Sequence, residues 1–305
     1  MSDKSDRRCE VKNMRSNSYR SLAGVLCLLA HASLAWAGAG FGPGQNLDVE
    51  EFLRAARAGD GPAAPRSCHP GQAVEWVAIK GGKFAMGADN GDSDAKPLHE
   101  VAIKTFEMSK ALITVEQYAE CVIKGGCTEP GAGEYCNWGK TDRQRHPVNC
   151  VDWKQADRYA KFKAARLPSE SEWEYAATSG GRNQKYPWGN EEPSCERAVM
   201  HGEDAYGCDG GGTMPVCSKP DGNTAQGLCD MAGNVWQWVQ DKYQDSYADA
   251  PADGSAFEAA GSYRVWRGGS FINGGARYLR AKYRNNVGPG YRGSLVGFRV
   301  ARSSR

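Results

Sequence analysis

Alternation of large apolar and small residues marks the start of the folded part of the chain. A strand-like run at 74–77 leads into the segment 79–87, in which Phe84 and Met86 alternate with small residues before Gly87. Alternation of this kind places every second side chain on one face of a strand. The pattern therefore predicts extended structure that turns at glycine.

Helical periodicity is clear in only three segments. Thr114 is followed three residues later by Gln117, and Ser169 by Glu172, and each pair has the capping-box signature of a helix start. Between them, residues 152–164 give a further helical pattern. The rest of the chain is rich in turns and shows no sustained period. These features predict modest helix content, short strands and long loops.

The N-terminal segment has the pattern of a secretory leader. Basic residues precede an apolar run at 22–30, and small residues follow at 35–37. The apolar run is far shorter than the roughly 20 residues that a membrane-spanning helix needs, which disfavours a membrane anchor. We therefore predict a cleaved signal peptide at 1–37, a linker at 38–73, one domain at 74–302, and a periplasmic or secreted protein without a membrane span.

The charges balance once the leader is removed. The remaining chain has 32 Lys and Arg against 33 Asp and Glu, a net charge of about −1. Because binding to nucleic acid requires a basic excess, nucleic acid is excluded as the main partner. The C-terminal segment is nevertheless rich in arginine, which indicates either an anion-facing surface or pairing with carboxylates elsewhere. We favour pairing for two arginines in short motifs, with the following candidates: Arg267 and Arg299 with Asp152, Glu172 and Glu174.

Nine cysteines follow the leader: Cys68, Cys121, Cys127, Cys136, Cys150, Cys195, Cys208, Cys217 and Cys229. In an exported chain this density indicates a disulfide framework, and no two cysteines have the CxxC spacing of a zinc site. Sequence leaves the pairing open, although Cys136 with Cys150 and pairs within the last four cysteines are the nearest candidates. The odd number leaves at least one thiol free or paired between molecules.

Several short motifs follow one another in a recognisable order. They are GGKFAMG at 81–87, RLPSESEWE at 166–174, YPWG at 186–189, GNVW at 233–236, RGGS at 267–270 and GFR at 297–299. Their order and spacing resemble the formylglycine-generating enzyme family, also called the sulfatase-modifying-factor domain, over roughly residues 74–302. The resemblance implies an α+β, variant C-type-lectin-like fold with little regular secondary structure, which the cysteines would brace.

The resemblance also identifies two cysteines of the family's oxidase that this chain lacks. In the family's oxidase, two copper-binding cysteines lie three and eight residues after the serine that corresponds to Ser270. This chain has Asn273 and Tyr278 at those positions, and no cysteine after Cys229. Cu(I) is held by soft thiolates, which neither an amide nor a phenol replaces. Copper is therefore not expected, and conversion of cysteine to formylglycine is disfavoured.

A pocket of similar outline is nevertheless implied, because Trp236, Ser270 and Arg280 match active-site positions of the family. Trp236 and Trp238 project to one side of an extended segment, and rings of this size form core more often than they face a ligand. We predict that an unknown ligand or protein partner binds in a pocket bounded by Trp236, Ser270, Asn273, Tyr278 and Arg280. Alanine at Trp236 or Tyr278 is expected to weaken that binding without unfolding the domain.

The family's calcium loop has counterparts in the side chains of Asp230 and Gln237 and the main-chain oxygens of Gly233 and Val235. Calcium prefers carboxylate and carbonyl oxygens, and Gln237 replaces a glutamate of the family, so weakened calcium binding is implied. A second calcium loop of the family would fall at 198–211, where Cys208 suggests that a disulfide replaces the ion.

Two enzymatic alternatives remain. An oxidase or maturation enzyme could use the same pocket with other residues, including Tyr278 or Ser270. An iron centre like that of hercynine oxygenase, a member of the same family, would need two histidines and a carboxylate. The histidines after the leader show no paired spacing and are expected to be ordinary surface or loop residues: His69, His99, His146 and His201.

A third alternative is a retroelement-diversified display protein, which has the same lectin-like fold. The C-terminal segment resembles the variable stretch of such proteins, and its Asn, Tyr, Ser and Gly are residues that binding surfaces use. Clonal isolates would then differ at these positions alone: Asn273, Gly274, Gly275, Arg277, Tyr278, Lys282, Tyr283, Asn285, Asn286, Tyr291, Gly293 and Ser294.

Overall fold

Short strands carry most of the regular structure. A computed structural model describes residues 73–259 and 261–304; the leader, residues 38–72 of the predicted linker and Cys68 lie outside the described residues. The strands are β1 (Trp76–Ile79), β2 (Gly82–Met86), β3 (His99–Ile103), β4 (Phe106–Ser109), β5 (Trp236–Lys242), β6 (Arg264–Arg267), β7 (Arg284–Val287), β8 (Val296–Phe298) and β9 (Ala301–Ser303). The helices are α1 (Val115–Ile123), α2 (Trp153–Phe162) and α3 (Glu170–Ala177).

The helices begin where the sequence predicts. Thr114 and Ser169 close the two expected capping boxes with the residues three positions later, at the starts of α1 and α3. Asp152 forms a third capping box with Gln155 at the start of α2, and that helix ends slightly before the predicted boundary. Each box satisfies backbone N–H groups that would otherwise lack partners in the first helical turn. The strands predicted between 74 and 87 are confirmed as β1 and β2.

Strand pairing brings the distant motifs side by side. The described sheets have the orders β1-β4-β9, β2-β3 and β7-β6-β5-β8. In the four-stranded sheet, β5 pairs antiparallel with β6 and parallel with β8, so that Gln237 lies opposite both Arg267 and Gly297. The GNVW, RGGS and GFR motifs therefore meet at one end of this sheet.

Three apolar clusters form the core of the described residues, and the first two are the largest. In the first, Phe84 of β2 meets Tyr175 of α3 edge to face, with ring centroids 5.2 Å apart. In the second, Tyr118 of α1 stacks on Tyr159 of α2 at 5.5 Å, and Phe298 of β8 contacts both rings. Aromatic pairs in such geometries add stability beyond the burial of area. Within the described residues, no helix is both long and apolar enough to cross a membrane.

A buried group of charges joins α3 to the four-stranded sheet. The Glu170 carboxylate accepts hydrogen bonds from Arg267 Nη1 at 2.6 Å, Arg284 Nε at 2.7 Å and Arg284 Nη2 at 2.9 Å. Glu174 accepts from Arg267 Nη2 at 2.6 Å and from the Gly87 N–H at 2.9 Å. All four charged side chains are almost fully buried. We call these residues, Glu170, Glu174, Arg267 and Arg284, the arginine–glutamate network.

The network is balanced in charge and rich in hydrogen bonds. Burial opposes ionisation, but Arg284 and Arg267 outweigh it and lower the pKa of Glu170. A buried carboxylate that loses its partners carries a large desolvation penalty, so removal of one member costs far more than a surface pair would contribute. The prediction that Arg267 pairs with Glu174 is confirmed. Arg299 differs from the prediction, because it donates to Gln237 and to backbone carbonyls such as Cys229 O.

Four disulfide bonds close loops in the described part of the chain. The bonds are Cys121–Cys127, Cys136–Cys150, Cys195–Cys208 and Cys217–Cys229. The proposed Cys136–Cys150 pair is confirmed, and the last four cysteines pair among themselves as expected. Three of these bonds join cysteines 12 to 14 residues apart in sequence. In the chain-entropy picture, a disulfide that closes a loop of about that size contributes about 3 kcal/mol. The bonds therefore compensate for the scarcity of regular structure.

Replacement of Glu170 by glutamine tests the network. The amide keeps the size of the side chain but leaves the two buried arginines with one carboxylate, and we expect the free energy of unfolding to fall by about 3–5 kcal/mol. Chemical denaturation followed by circular dichroism measures this change.

The matched control is Glu100→Gln, since Glu100 forms a 2.7 Å ion pair with Lys83 and both side chains are about two-thirds exposed. Water already screens that pair, so no resolvable change is expected. Equal losses in the two variants would contradict a special role for the network.

Candidate functional site

Two glycines turn the chain from β6 toward the predicted pocket. Gly268 and Gly269 have φ values of 96° and 75°, which residues with a side chain rarely adopt. A Cβ at Gly268 would lie 2.9 Å from both Gln237 Nε2 and Met231 O. The Gly-Gly pair is therefore required where β6 passes close to β5 before reaching Ser270.

Ser270 and Asn273 form a closed hydrogen-bonded turn. Asn273 Oδ1 accepts from the Ser270 N–H at 2.8 Å and from Ser270 Oγ at 3.0 Å. Ser270 is fully buried, while Asn273 reaches solvent only in part. The asparagine thus uses its oxygen to hold the turn where the family's oxidase has a copper-binding cysteine.

A series of aromatic rings runs from the surface into the core beside this turn. Tyr278 contacts Tyr283 edge to face at 5.2 Å, and Tyr283 lies 6.1 Å from Trp236. Trp236 stacks on Trp266 at 5.3 Å, and Trp266 meets Tyr291 edge to face at 5.7 Å. Tyr278 and Tyr291 are 36% and 38% exposed, whereas Trp236 is only 2% exposed. We call Trp266, Tyr278, Tyr283 and Tyr291 the aromatic face, with Trp236 beneath it.

The indole nitrogen of Trp266 stands out among the buried tryptophans. Trp238 Nε1 donates to Val151 O at 3.0 Å, and Trp153 Nε1 donates to Val239 O at 2.8 Å. Trp266 Nε1 is buried and has no hydrogen-bond partner among the described residues. A buried indole N–H normally finds an acceptor, so this donor is an exception among the buried tryptophans of the described chain.

Arg280 contacts a loop from the N-terminal half of the chain through Asp92. Asp92 accepts from Arg277 Nη2 at 2.6 Å and from Arg280 Nη2 at 3.0 Å. Arg280 also lines a cleft of about 520 Å³ between the 88–95 and 183–190 segments. Arg280 therefore belongs to this cleft and not to the aromatic face.

The predicted pocket needs a correction. Of its five residues, Trp236 and Ser270 are buried and cannot line a surface for a ligand, because one packs in the core and the other holds a turn. The prediction that Trp236 and Trp238 form core is confirmed. Tyr278 reaches Trp236 only through Tyr283, while Arg280 faces the separate cleft.

Three residues of the aromatic face were not identified from the sequence as part of a site. Tyr283 and Tyr291 came up only as part of the variable stretch, and Trp266, which precedes the RGGS motif, was not singled out. Alternation along β6 was a usable signal, because Trp266 lies on the opposite face from Arg267 and pairs across the strands with Trp238. Nothing in the sequence indicated that Asp92 belongs to a site, since its partners Arg277 and Arg280 are almost 190 residues away.

The residues predicted to bind calcium lie at the start of β5, but they already serve other partners. Gln237 Oε1 accepts from Trp173 Nε1 at 2.9 Å and from Arg299 Nε at 2.7 Å. Asp230 Oδ2 accepts from the Cys217 N–H at 2.8 Å, and burial raises the pKa of Asp230. A calcium ion at Gln237 would displace a donor and lie beside the buried Arg299 guanidinium. The set fits calcium poorly, and calcium binding through Asp230, Gly233, Val235 and Gln237 stays a prediction.

The described histidines are distant in sequence, and each makes its own separate contacts. His146 is buried, and its Nδ1 lies 2.9 Å from Thr213 Oγ1; burial, helped by Arg143, lowers the pKa of His146 to about 4. His99 and His201 each contact a nearby backbone carbonyl. No group of three His, Cys, Asp or Glu suited to a metal occurs in residues 73–259 and 261–304. His69 lies outside this part, and Cys208, in the second calcium loop, is bonded to Cys195.

The lectin-like arrangement of short strands, the Gly-Gly turn and the aromatic site define a sulfatase-modifying-factor type of domain. Residues 62–304 match the family described as "Sulfatase-modifying factor enzyme 1-like domain", and the chain belongs to this family. It is 32% identical over 307 residues to a formylglycine-generating enzyme from Streptomyces coelicolor, with 81% of this chain and 94% of that protein covered. The family resemblance drawn from the motifs is confirmed.

The chain is also similar to part of a protein kinase and to the solved structure of PvdO. The chain is 34% identical over 248 residues to serine/threonine-protein kinase Pkn1 from Chlamydia trachomatis, with 75% of this chain and 38% of the kinase covered. The chain thus spans well under half of that relative. The solved structure of PvdO from Pseudomonas aeruginosa is similar at a TM-score of 0.64 and 32% identity, with 78% of this chain and all of PvdO covered. This similarity confirms the predicted fold.

Alanine substitutions distinguish the buried from the exposed part of the site. Trp236→Ala removes a ring from the core, and we expect the free energy of unfolding to fall by about 3–5 kcal/mol. Tyr278→Ala removes an exposed ring, and a loss below about 1 kcal/mol is expected. Urea denaturation of both variants measures the difference. Similar stability of the two variants would contradict the placement of Trp236 in the core.

Proposed function

We propose that this protein is a binding member of the sulfatase-modifying-factor family, and that it contacts a ligand or partner through the aromatic face. The observation that carries this proposal is the unbroken series of ring contacts from exposed Tyr278 through Trp236 and Trp266 to exposed Tyr291. The exposed ring of Tyr278 is thereby supported by half-buried Tyr283, and that of Tyr291 by buried Trp266.

The physical properties of such a surface favour binding. Tyrosine and tryptophan provide large contact area, lose little side-chain entropy because few torsions are free, and are enriched at the energetic centres of interfaces. Tyr283 supports Tyr278, and Trp266 supports Tyr291, so both rings are held in place before a ligand arrives. Preorganisation of this kind lowers the entropy cost of association.

The indole N–H of Trp266 is a buried donor beneath the aromatic face. Trp266 is 8% exposed, and its Nε1 has no acceptor among the described residues. A ligand oxygen that reached this donor after its covering atoms moved aside would satisfy a group that otherwise pays a desolvation cost. The aromatic face therefore binds first by ring stacking.

The residues at the copper positions do not suit the oxidase chemistry of the family. Asn273 offers an amide whose oxygen already binds Ser270 twice, and Tyr278 offers a phenol that packs against Tyr283. All eight cysteines of the described chain are in disulfides and so present no thiolate. Cu(I) needs such thiolates, so the set does not fit copper.

We also propose export to the periplasm or the exterior. Four disulfide bonds are typical of proteins from oxidising compartments, and the leader pattern at 1–37 agrees with that location. In such a compartment the disulfides persist, and the thiol chemistry of the family's oxidase finds no free cysteine among residues 73–259 and 261–304.

An enzyme that works through Ser270 or Tyr278 is less well supported. Ser270 Oγ is fully buried and donates to Asn273 Oδ1, an amide oxygen that cannot take up a proton at neutral pH. A nucleophilic serine needs an adjacent general base. Tyr278 remains the only one of the two that a substrate could reach.

One observation favours the display protein as a second candidate. All twelve positions of the suspected variable stretch reach solvent at least in part, and the three buried residues between them, Leu279, Ala281 and Arg284, are not among the twelve. A stretch that tolerates diversification must separate its surface from its core in this way. Sequences from clonal isolates distinguish this role from a fixed binding site.

A ligand screen tests the role of the aromatic face. The mature protein, Tyr278→Ala and Tyr291→Ala would be applied to printed arrays of saccharides and peptides. We expect the wild type to bind a defined subset, and each variant to lose roughly tenfold in affinity for it, because a stacking ring contributes on the order of 1–2 kcal/mol.

The control for this screen is Tyr263→Ala, since Tyr263 is 54% exposed and takes no part in the ring contacts of the aromatic face. It should keep wild-type affinity. Hits that survive in both Tyr278→Ala and Tyr291→Ala would show that the ligand binds elsewhere and would overturn the proposal.

A further inference from the structure

A cleft separate from the aromatic face has an unusual concentration of positive charge. Its volume is about 520 Å³, which is in the range of small-molecule sites, and no residue of the aromatic face lines it. Lys185, Arg280 and Lys282 line the cleft, together with a single carboxylate, Asp92. The cations come from two distant segments of the chain, so the fold and not local sequence brings them together.

Asp92 does not neutralise these cations. Its carboxylate is shared between Arg280 and Arg277, with N–O distances of 3.0 and 2.6 Å. Lys185 is only loosely paired with Glu192, at 3.4 Å on the exposed surface. The residues that line the cleft thus carry three cations and one carboxylate, and this excess attracts an anion.

Unused hydrogen-bond donors line the same walls. Lys282 is half-buried and makes no hydrogen bond or ion pair with the residues that the structure describes. Arg280 uses Nε and Nη2 for Arg277 O and Asp92, which leaves Nη1 without a protein partner in this region. A guanidinium and an ammonium held in this way can both donate to one oxyanion.

Side-chain amides make up much of the remaining wall. Asn90, Asn183 and Asn190 line the cleft, and Asn190 uses only its Oδ1, which accepts from the Lys185 N–H at 2.9 Å. A side-chain amide both donates and accepts, as a hydroxyl group does. Amides beside the cations therefore suit a ligand that carries hydroxyl groups as well as a charge.

From these contacts we infer that the cleft binds a hydroxyl-bearing organic anion, of which an acidic sugar is the simplest kind. The carboxylate of the ligand lies between Lys282 and Arg280, and its hydroxyl groups face Asn183 and Asn190. The site does not depend on the aromatic face, so either assignment can fail without the other.

Calorimetric titration of the mature protein with glucuronate tests the inference. Glucose carries the hydroxyl groups without the charge, and acetate carries the charge without the hydroxyl groups; all three are compared at one ionic strength. We expect saturable binding of glucuronate, at least roughly tenfold tighter than either comparison compound, because only glucuronate uses both sets of donors.

Two variants locate the binding in the cleft. Lys282→Met keeps the aliphatic stem and removes the charge, and Asn183→Asp adds a negative charge with almost no change of shape; each should weaken glucuronate roughly tenfold. The matched control is Lys154→Met, an exposed lysine at the start of α2 that does not line the cleft. Its affinity should equal that of the wild type.

Several results would overturn the inference. They are the absence of saturable glucuronate binding, glucose or acetate binding as tightly as glucuronate, and glucuronate affinity that is unchanged in both Lys282→Met and Asn183→Asp. Circular dichroism spectra of the variants establish that they are folded before affinities are compared.

Discussion

The arginine–glutamate network is the interaction on which the rest of the structure depends. With few long strands or helices, this fold cannot rely on backbone ladders alone to fix the relative positions of its segments. Glu170 and Glu174 on α3 bind Arg267 at the end of β6 and Arg284 at the start of β7, and Glu174 also binds the backbone after β2. Because all four charged side chains are buried, these bonds fix the positions of α3, β6 and β7 relative to one another.

The network also explains how the family's scaffold is compatible with the asparagine and tyrosine at positions 273 and 278. Arg267 is the first residue of the RGGS motif, and the two glycines after it set the direction of the chain toward Ser270 and Asn273. None of these contacts involves positions 273 and 278, so the network places no constraint on what occupies them. A fold specifies a site's position, while the side chains at that site specify its function.

Sequence reasoning succeeded where the signal was local. The capping boxes at Thr114 and Ser169, the alternation in β2 and the Cys136–Cys150 pair all involve residues close in sequence. It failed where distant segments meet. The sequence around Asp92 gives no indication of its ion pairs with Arg277 and Arg280. Glu170 was not predicted to pair with arginine, because the other two glutamates of its motif were taken as the candidates. The aromatic face was missed for the same reason, because Trp266 acquires its role only when β6 lies beside β5.

The most direct test of the account is a copper and activity measurement on the protein with its disulfides intact. Wild-type protein and the Asn273→Cys/Tyr278→Cys variant would be titrated with Cu(I) against a competing chelator, then incubated with a cysteine-containing peptide and oxygen, with formylglycine detected by mass spectrometry. The account predicts no stoichiometric copper and no conversion for the wild type, and copper binding for the variant, which supplies the two thiolates. Stoichiometric copper and turnover by the wild type would contradict it.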